Sequence, residues 1–403
     1  MHVAVVGAGP AGAALAFLFA RRGISVTLVE RQSDFAREFR GEGLMPGGVE
    51  ALQQMGLAAE LESLPQARIQ AVDVYLNRRH RLHIDASALP AETPLPRFVS
   101  QPALLEMLVE QAGKHPGFEL LRGASVRDLV HTGDRVTGLR VDGAAGAHEV
   151  SADYVIGCDG RASVVRKRAH LERARDAQAF DVVWCKLPLP EFMRGRARAC
   201  VGRGHFALLF EAPDGLLQLG WAIEKGSFGD IRRAGIEHWV EELASTVPDD
   251  LADWIRAHAR EVSHPFLLDV VCDHLDVWSA PGVLLLGDAA HPMSPAGAQG
   301  INIALRDAVV AANHLGPVLL RGGPPDELDT AALRIVDERL PEVKEIQSLQ
   351  NRAPRVLFQH SLATRLLIGF VAPLVLRTGL ARLLVAQVFP RFARGTRQVS
   401  LEF

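Results

Sequence analysis

The hydrophobic pattern changes period several times along the chain, and each change marks a different kind of element. The chain opens with the apolar run Val3-Ala4-Val5-Val6, breaks at Gly7-Ala8-Gly9-Pro10-Ala11-Gly12, continues in helical fashion to Arg22, and returns as an apolar strand over 24–29 that ends on Glu30. Strand, glycine turn, helix and strand are therefore predicted in the first thirty residues. Residues 48–55 read as a helix, and strict alternation at Val72, Val74 and Leu76 predicts a half-buried antiparallel strand over 71–84. A proline-rich connection (Pro90, Pro94, Pro96) leads to a helix over 103–112, with Gln101 in its capping region just before Pro102. Short strands follow at 118–121, 125–130, 135–141 and 149–156.

From 176 to 265 the character changes. Strand-like runs at 182–187, 205–210 and 216–223 are joined by turn signals such as Pro213-Asp214-Gly215, with amphipathic helices over 236–245 and 250–259. An antiparallel sheet with helices, and hence a second domain, is predicted there. One strand carries His205, Ala207 and Leu209, and the next carries Leu217, Leu219, Trp221 and Ile223. Such a sheet offers a wall for a flat ligand, although each of these side chains taken singly reads more simply as core. A last apolar strand, 282–286, runs into Gly287-Asp288, a Pro/Gly loop, and a helix from Gly300 to about His314.

Composition narrows the class. The 403 residues are 48% hydrophobic and 23% charged, which is ordinary for a chain with large cores and room for two or three domains. A net charge of −3 gives no general attraction to nucleic acid or acidic membranes, so a small molecule is the expected partner. Cys158, Cys185, Cys200 and Cys272 form no metal-spaced cluster, which predicts a reduced, cytoplasmic protein without structural metal. The apolar region 356–390 has as its longest uncharged stretch 366–376, interrupted by Pro373, which is too short for a transmembrane span. Packed core or subunit contact is one reading of it, and an interfacial face giving access to a lipid-like substrate is the other.

Three loops carry candidate chemistry. In the first, Gly7 permits a tight turn, Gly9 lets the backbone approach a pyrophosphate, Gly12 lets the helix pack on the strand, and Glu30 can accept hydrogen bonds from a ribose. In the second, a strand over 154–157 delivers Asp159-Gly160, followed by Ser163 and Arg166, so that a carboxylate and a cation stand at a strand's carboxyl end. In the third, Asp288 can hold a sugar hydroxyl, and the glycines and helix start after it can approach a flat ring and stabilise negative charge. His291 reads either as a general base or as a structural hydrogen-bonding group that fixes the loop.

These three motifs in this order resemble the class A flavoprotein aromatic monooxygenases, the para-hydroxybenzoate hydroxylase fold, over roughly residues 1–315. The resemblance implies an α/β fold: a doubly wound FAD-binding (GR2-type Rossmann) domain from 1–70, 98–175 and 271–330, an inserted antiparallel-sheet substrate domain from 71–97 and 176–270, and a C-terminal helical region over 331–403. It implies that Gly7, Gly9, Ala11, Gly12, Glu30 and Arg31 hold the ADP half of FAD. Arg40 and Gln101 match flavin-binding positions, and Asp159 serves FAD and a transient NADPH or NADH donor. Asp288 contacts the ribityl or pyrophosphate region, and Pro295, Gly297, Gly300, Ile301 and Asn302 line the isoalloxazine. The implied reaction is NAD(P)H- and O2-dependent hydroxylation of an aromatic or polyketide-like small molecule through a flavin C4a-hydroperoxide. His205, Phe210 and Trp221 are candidate substrate contacts on sheet position alone. With only Tyr75 and Tyr154 in the chain, the phenol network of the prototype cannot be placed, and any substrate deprotonation must use another group. An epoxidase, Baeyer-Villiger oxygenase, halogenase or prenyl reductase on the same scaffold, or a flavin-binding redox module, are the competing readings. Monomer and homodimer both remain open.

Overall fold

The computed structural model describes residues 1–36, 42–85, 95–144, 146–171, 178–202, 205–263, 265–357 and 393–403. The apolar run at the N-terminus becomes the strand His2–Val6, central in a six-stranded sheet. It is flanked by Ser25–Glu30 and Tyr154–Gly157, both parallel to it, with Phe118–Arg122 and Val283–Leu285 outside them. Only the short edge strand Ser279–Ala280 runs antiparallel. Helices cover the sheet because parallel neighbours need crossovers. The first of them, Pro10–Arg21, is buried at every position from Ala11 to Ala20. It packs against Gly300–Leu320, which in turn packs on Pro46–Gln54 and on the long helix Pro325–Leu357. Among the described residues, Gly300–Leu320 is the helix long and apolar enough to cross a membrane, and 78% of its apolar window is buried inside the fold. The tail 393–403 returns to this core, where Phe403 meets Phe19 edge-on and lies under Arg22. Residues 395–403 are irregular, so the expected C-terminal helical region ends in an extended clasp. The apolar stretch 356–390 lies almost wholly outside the described residues.

A seven-stranded sheet forms the second layer, in the order Phe266–Leu268, Phe180–Pro188, Leu216–Glu224, His205–Glu211, Arg196–Gly202, Ala71–Leu76, Arg79–Asp85. Two of its features depart from the pattern-based expectation. The single strand expected over 71–84 is a hairpin, turned at Asn77 and Arg78 with φ of 48° and 64°. Asparagine tolerates that left-handed conformation, and consecutive positive φ values match the twist of the flanking strands. The strand Arg196–Gly202 escaped the hydrophobic pattern because Arg198 stands at a core-facing position. Arg198 is only 6% exposed, and its guanidinium is held by Asp250 at 2.7 and 2.9 Å. This strand pairs in parallel with Ala71–Leu76 and so carries the hairpin into the sheet.

One face of this sheet is closed by the amphipathic helices Ile236–Ala244 and Asp249–Ala257. Val183, Cys185, Leu187, Ala207, Leu209, Leu217, Leu219 and Trp221 pack there against Trp239, Leu243, Leu251 and Ile255. Full burial of such side chains contributes roughly 1.5–3 kcal/mol each, so this face holds the larger of the sheet's cores. The opposite face carries Val182, Trp184, Phe206, Leu208 and Phe210.

Candidate functional site

Gly7 takes φ +95°, and a Cβ there would meet the Cys158 carbonyl at 2.5 Å. At Gly12 a Cβ would lie 2.0 Å from the Gly7 carbonyl. These two glycines are demanded by the protein's own packing. Gly9 is different: its φ is −71°, and the nearest atom to an added Cβ is the Cys158 carbonyl at 4.0 Å. The space before the helix Pro10–Arg21 is therefore clear of protein, and the Ala11 and Gly12 amides of its first turn have no intrahelical acceptor. Glu30 is 3% exposed and fixes the loop, accepting from the Ala8 amide at 2.9 Å and the Gln32 amide at 3.0 Å. Arg31 is exposed beside it. Arg40 lies outside the described residues. Gln101 opens the helix Gln101–Gly113, and the cap is Ser100, whose Oγ accepts from the Ala103 amide at 3.4 Å.

In the second loop, Asp159 accepts from Ser163 Oγ at 2.5 Å and from the Val164 and Val165 amides at 2.6 and 3.2 Å. Burial raises its carboxyl above the ordinary value, with these bonds opposing the rise. In this structure it anchors the start of the helix Val164–Arg168. Arg166 donates to the Ala289 carbonyl at 2.8 Å, and Arg161 Nε lies 3.3 Å from Asp288 Oδ2. Two cations thus join the second motif to the third. Asp288, at the end of Val283–Leu285, keeps a side chain 36% exposed.

The loop after Asp288 is fastened from behind. His291 is 1% exposed, and its Nε2 lies 2.7 Å from Asp307 Oδ2. Of its two sequence readings, the structural one matches this geometry. Asp307 also accepts from the Gly287 amide at 3.2 Å and from Arg339 Nε at 2.8 Å. Its burial would raise the carboxyl, but His291 and Arg339 hold it below the ordinary value. Arg339 continues to Glu342, and Glu342 to Arg306. Two glutamines of the long helix complete the fastening: Gln347 Nε2 donates to the Pro292 carbonyl at 3.2 Å, and Gln350 Nε2 to the Ser294 and Ala296 carbonyls at 2.9 and 2.8 Å. Sequence reasoning missed all four of Arg339, Glu342, Gln347 and Gln350. Their only signal was two polar pairs, each three residues apart, on a helix that otherwise packs inward.

Beyond Pro295 the backbone turns through positive φ at Gly297 and Ala298 and enters Gly300–Leu320. Gly300 has nothing within 4 Å of an added Cβ, so this helix start also opens on space clear of protein. Ile301 is buried. Asn302 is buried as well, and its amide holds the chain opposite: Oδ1 accepts from the Met45 amide at 2.8 Å and Nδ2 donates to the Gly43 carbonyl at 3.2 Å. Gly43 in turn sits against the loop, since a Cβ there would lie 2.5 Å from Ala298 Cβ and 3.5 Å from Phe98 Cε1.

Phe98 leads to the second sheet, stacking on Phe210 at 3.6 Å between centroids, while Trp184 meets Phe210 edge-on. Of the three substrate candidates, the structure places only Phe210 on this side. Trp221 is fully buried on the helix-covered face against Trp239, and His205 lies near it, with ring centroids 6.4 Å apart. Alternation along the strands separates them: Trp221 follows Leu219 inward, whereas Phe210 follows Leu208 outward. The wall around Phe210 also holds polar groups. Gln218, 2% exposed, pairs in register with both Phe210 and Lys186, and its Oε1 has no partner; Trp184 Nε1 also has none. Lys186 Nζ is bonded to Asp214 at 2.6 Å. Glu42, next to Gly43, lies within electrostatic reach of Lys186 and Asp214. Burial lifts its carboxyl from 4.5 to about 7, with Lys186 opposing the rise and Asp214 adding to it. Its Oε2 is enclosed without a hydrogen-bond partner.

Away from these loops, Asp73, His80 and His83 bring ligand atoms within 4.8 Å of one another. Arg196, 3.4 Å from the same Asp73 carboxylate, opposes a cation there.

The two open helix starts, one beside the loop that Glu30 fixes and the other after Asp288, fit a dinucleotide carrying a flat ring. A family model described as "FAD binding domain" matches residues 1–346. The 6-methylpretetramide 4-monooxygenase of Streptomyces rimosus is 35% identical over 93% of this chain and 89% of its own. The probable NADH-specific resorcinol 4-hydroxylase of Rhodococcus jostii (strain RHA1) is 28% identical over 88% of this chain and 67% of its own. The crystal structure of p-nitrophenol 4-monooxygenase PnpA from Pseudomonas putida DLL-E4 superposes with a TM-score of 0.81 at 21% identity, covering 98% of each chain. A family model spanning residues 1–346, and sequence kinship along nearly the whole chain, make this protein a member of the FAD-binding-domain family of class A flavoprotein monooxygenases.

Proposed function

We propose that the protein hydroxylates a polycyclic, polyketide-like phenol, consuming NAD(P)H and O2. The observation that carries this reading is the 35% identity with a 6-methylpretetramide monooxygenase, extending through the second sheet as well as the nucleotide loops. The half-buried rings of Phe98 and Trp184, backed by the buried Phe210, support it, because flat rings stack on aromatic surface.

FAD, when bound, would supply the redox chemistry between NAD(P)H and oxygen. The chain's own residues position and shield it. The Ala11 and Gly12 amides, reached past Gly7 and Gly9, would hold the pyrophosphate, and Glu30 with Arg31 would hold the adenosine ribose. Asp288 would hold the ribityl or pyrophosphate region, and Arg40 and Gln101 are the further residues that would hold the flavin. Pro295, Gly297, Gly300, Ile301 and Asn302 present backbone to the ring. Asp159 acts through the loop it anchors. The six-stranded sheet and its helices form the FAD domain, the seven-stranded sheet forms the substrate domain, and the protein works in the cytoplasm as a monomer or homodimer.

The test is purified holoenzyme with 6-methylpretetramide, NADH or NADPH, and oxygen. A product carrying one added oxygen atom, formed in step with NAD(P)H consumed, is expected. NAD(P)H oxidation that the aromatic compound does not stimulate would refute the reading.

A further inference from the structure

The edge hairpin of the seven-stranded sheet carries a group of ligating side chains that the flavin site does not use. Asp73 on Ala71–Leu76 and His83 on Arg79–Asp85 are direct cross-strand partners, and His83 Nδ1 lies 2.8 Å from Asp73 Oδ1. His80 precedes His83 by three residues, and on a regular strand it would point to the opposite face. The register slips by one residue between Val74 and Tyr75, whose partners are Leu82 and His80. Such a bulge re-aims side chains, and His80 Nε2 reaches the same Asp73 Oδ1 at 2.9 Å. The Tyr75 ring lies edge-on to His80, 5.2 Å between centroids, and packs that imidazole in place. One carboxylate oxygen and two imidazole nitrogens thus converge, all within 4.8 Å of one another. The Asp73 side chain is 6% exposed, whereas His80 and His83 are 47% and 42% exposed, so solvent and its ions reach the nitrogens while the carboxylate is fixed beneath them. Asp85 Oδ2 stands 4.0 Å from His83 Nε2, the position from which a carboxylate orients a metal-bound imidazole. Arg196 opposes a cation, but it approaches Oδ2, the oxygen that the histidines leave, and its half-exposed side chain is free to turn toward water.

We propose that Asp73, His80 and His83 bind a divalent transition cation of the zinc class, which clips the two strands of the edge hairpin together. Two imidazoles with one carboxylate suit zinc and its neighbours, whereas magnesium and calcium take oxygen donors. Metal bonds of roughly 2.0–2.1 Å require the two rings to swing slightly outward from their present hydrogen bonds, and water completes the coordination. The absence of structural metal expected from cysteine spacing does not extend to these ligands, which a hairpin and a bulge bring together without leaving a motif. Asp73 shares its face of the strand with Tyr75, which packs on the helix-covered core. The cation therefore sits on the side of the sheet away from Phe210, and the proposal stands apart from the hydroxylase reading.

The test uses tag-free, FAD-loaded holoenzyme, stripped of metal with a chelator and titrated with Zn2+ by calorimetry, with Tm followed in parallel. Wild type should take up zinc and gain Tm, as a ligand that binds only the folded state requires. H80A and H83A, each at wild-type FAD content, should weaken that binding roughly tenfold or more and lose the gain in Tm. Both positions are half-exposed, so these variants fold, and H148A, which alters an exposed histidine of the strand Gly146–Ser151, should bind as the wild type does. R196Q, relieved of the opposing charge, should bind about tenfold more tightly at low salt. Mg2+ in place of Zn2+ should give neither heat nor a gain in Tm. A wild type that takes up no zinc, or H80A and H83A proteins that bind it as tightly as the wild type, overturns the proposal.

Discussion

Glu42 should cost the folded protein stability, and the cost should depend on pH with a sign opposite to that of an ordinary carboxylate. Its carboxyl moves from 4.5 to about 7 on folding because burial disfavours the charge. The folded chain therefore keeps the proton longer than the unfolded chain. Stability falls as pH rises from about 4.5 through about 7 and then levels off. At 1.36 kcal/mol per pH unit, that displacement amounts to about 3 kcal/mol once the group is fully ionised. Glutamine carries no such term. Urea unfolding of wild-type and E42Q holoenzyme, followed by tryptophan fluorescence, should show E42Q ahead by about 1 kcal/mol or less near pH 5 and by about 3 kcal/mol near pH 8. Lys186 and Asp214 are present in both proteins, so the difference isolates Glu42. A gap that does not change with pH, or an E42Q protein less stable near pH 8, would refute the reasoning. A paired surface carboxylate would give that second pattern.

The charge cluster behind the flavin loop gives a second expectation. Asp307→Ala strips Arg339, His291 and the Gly287 amide of a shared acceptor, and removing one partner of a buried pair costs about 3–5 kcal/mol; a loss under about 1 kcal/mol in denaturant unfolding would contradict this. Gln350→Ala leaves the Ser294 and Ala296 carbonyls unpaired, so FAD retention on dialysis should fall while overall unfolding shifts by about 1–3 kcal/mol; unchanged retention would detach the glutamine from the loop. The glycines separate cleanly: Gly12→Ala must displace backbone and should yield little folded protein, whereas Gly9→Ala meets open space and should fold normally yet bind FAD more weakly. Expression yield and flavin absorbance distinguish the two.

Much of the fold was written in periodicity. The glycine turn between two apolar strands, the acid closing the second, and the apolar strand delivering Asp288 are local signals, and each appears where the pattern put it. The strand Arg196–Gly202 was illegible because its core-facing arginine is neutralised by Asp250, fifty-two residues away. Nor could spacing show which face of the second sheet the helices would cover, and that decision separates Trp221 from Phe210. Glu42 was hidden for a related reason. Its burial comes from a strand pairing, Gly43–Leu44 with Arg97–Val99, and from a second sheet whose approach no local pattern encodes.

The alternation in that second sheet has an evolutionary corollary. In the strands Phe180–Pro188, His205–Glu211 and Leu216–Glu224, odd-numbered side chains such as Val183, Leu209 and Leu219 hold the scaffold, while even-numbered ones such as Trp184, Phe210 and Gln218 look the other way. Selection can rewrite one register while leaving its companion intact. A scaffold so divided can acquire new guests by drift along a single side of a ribbon, without first surrendering the framework that keeps it folded.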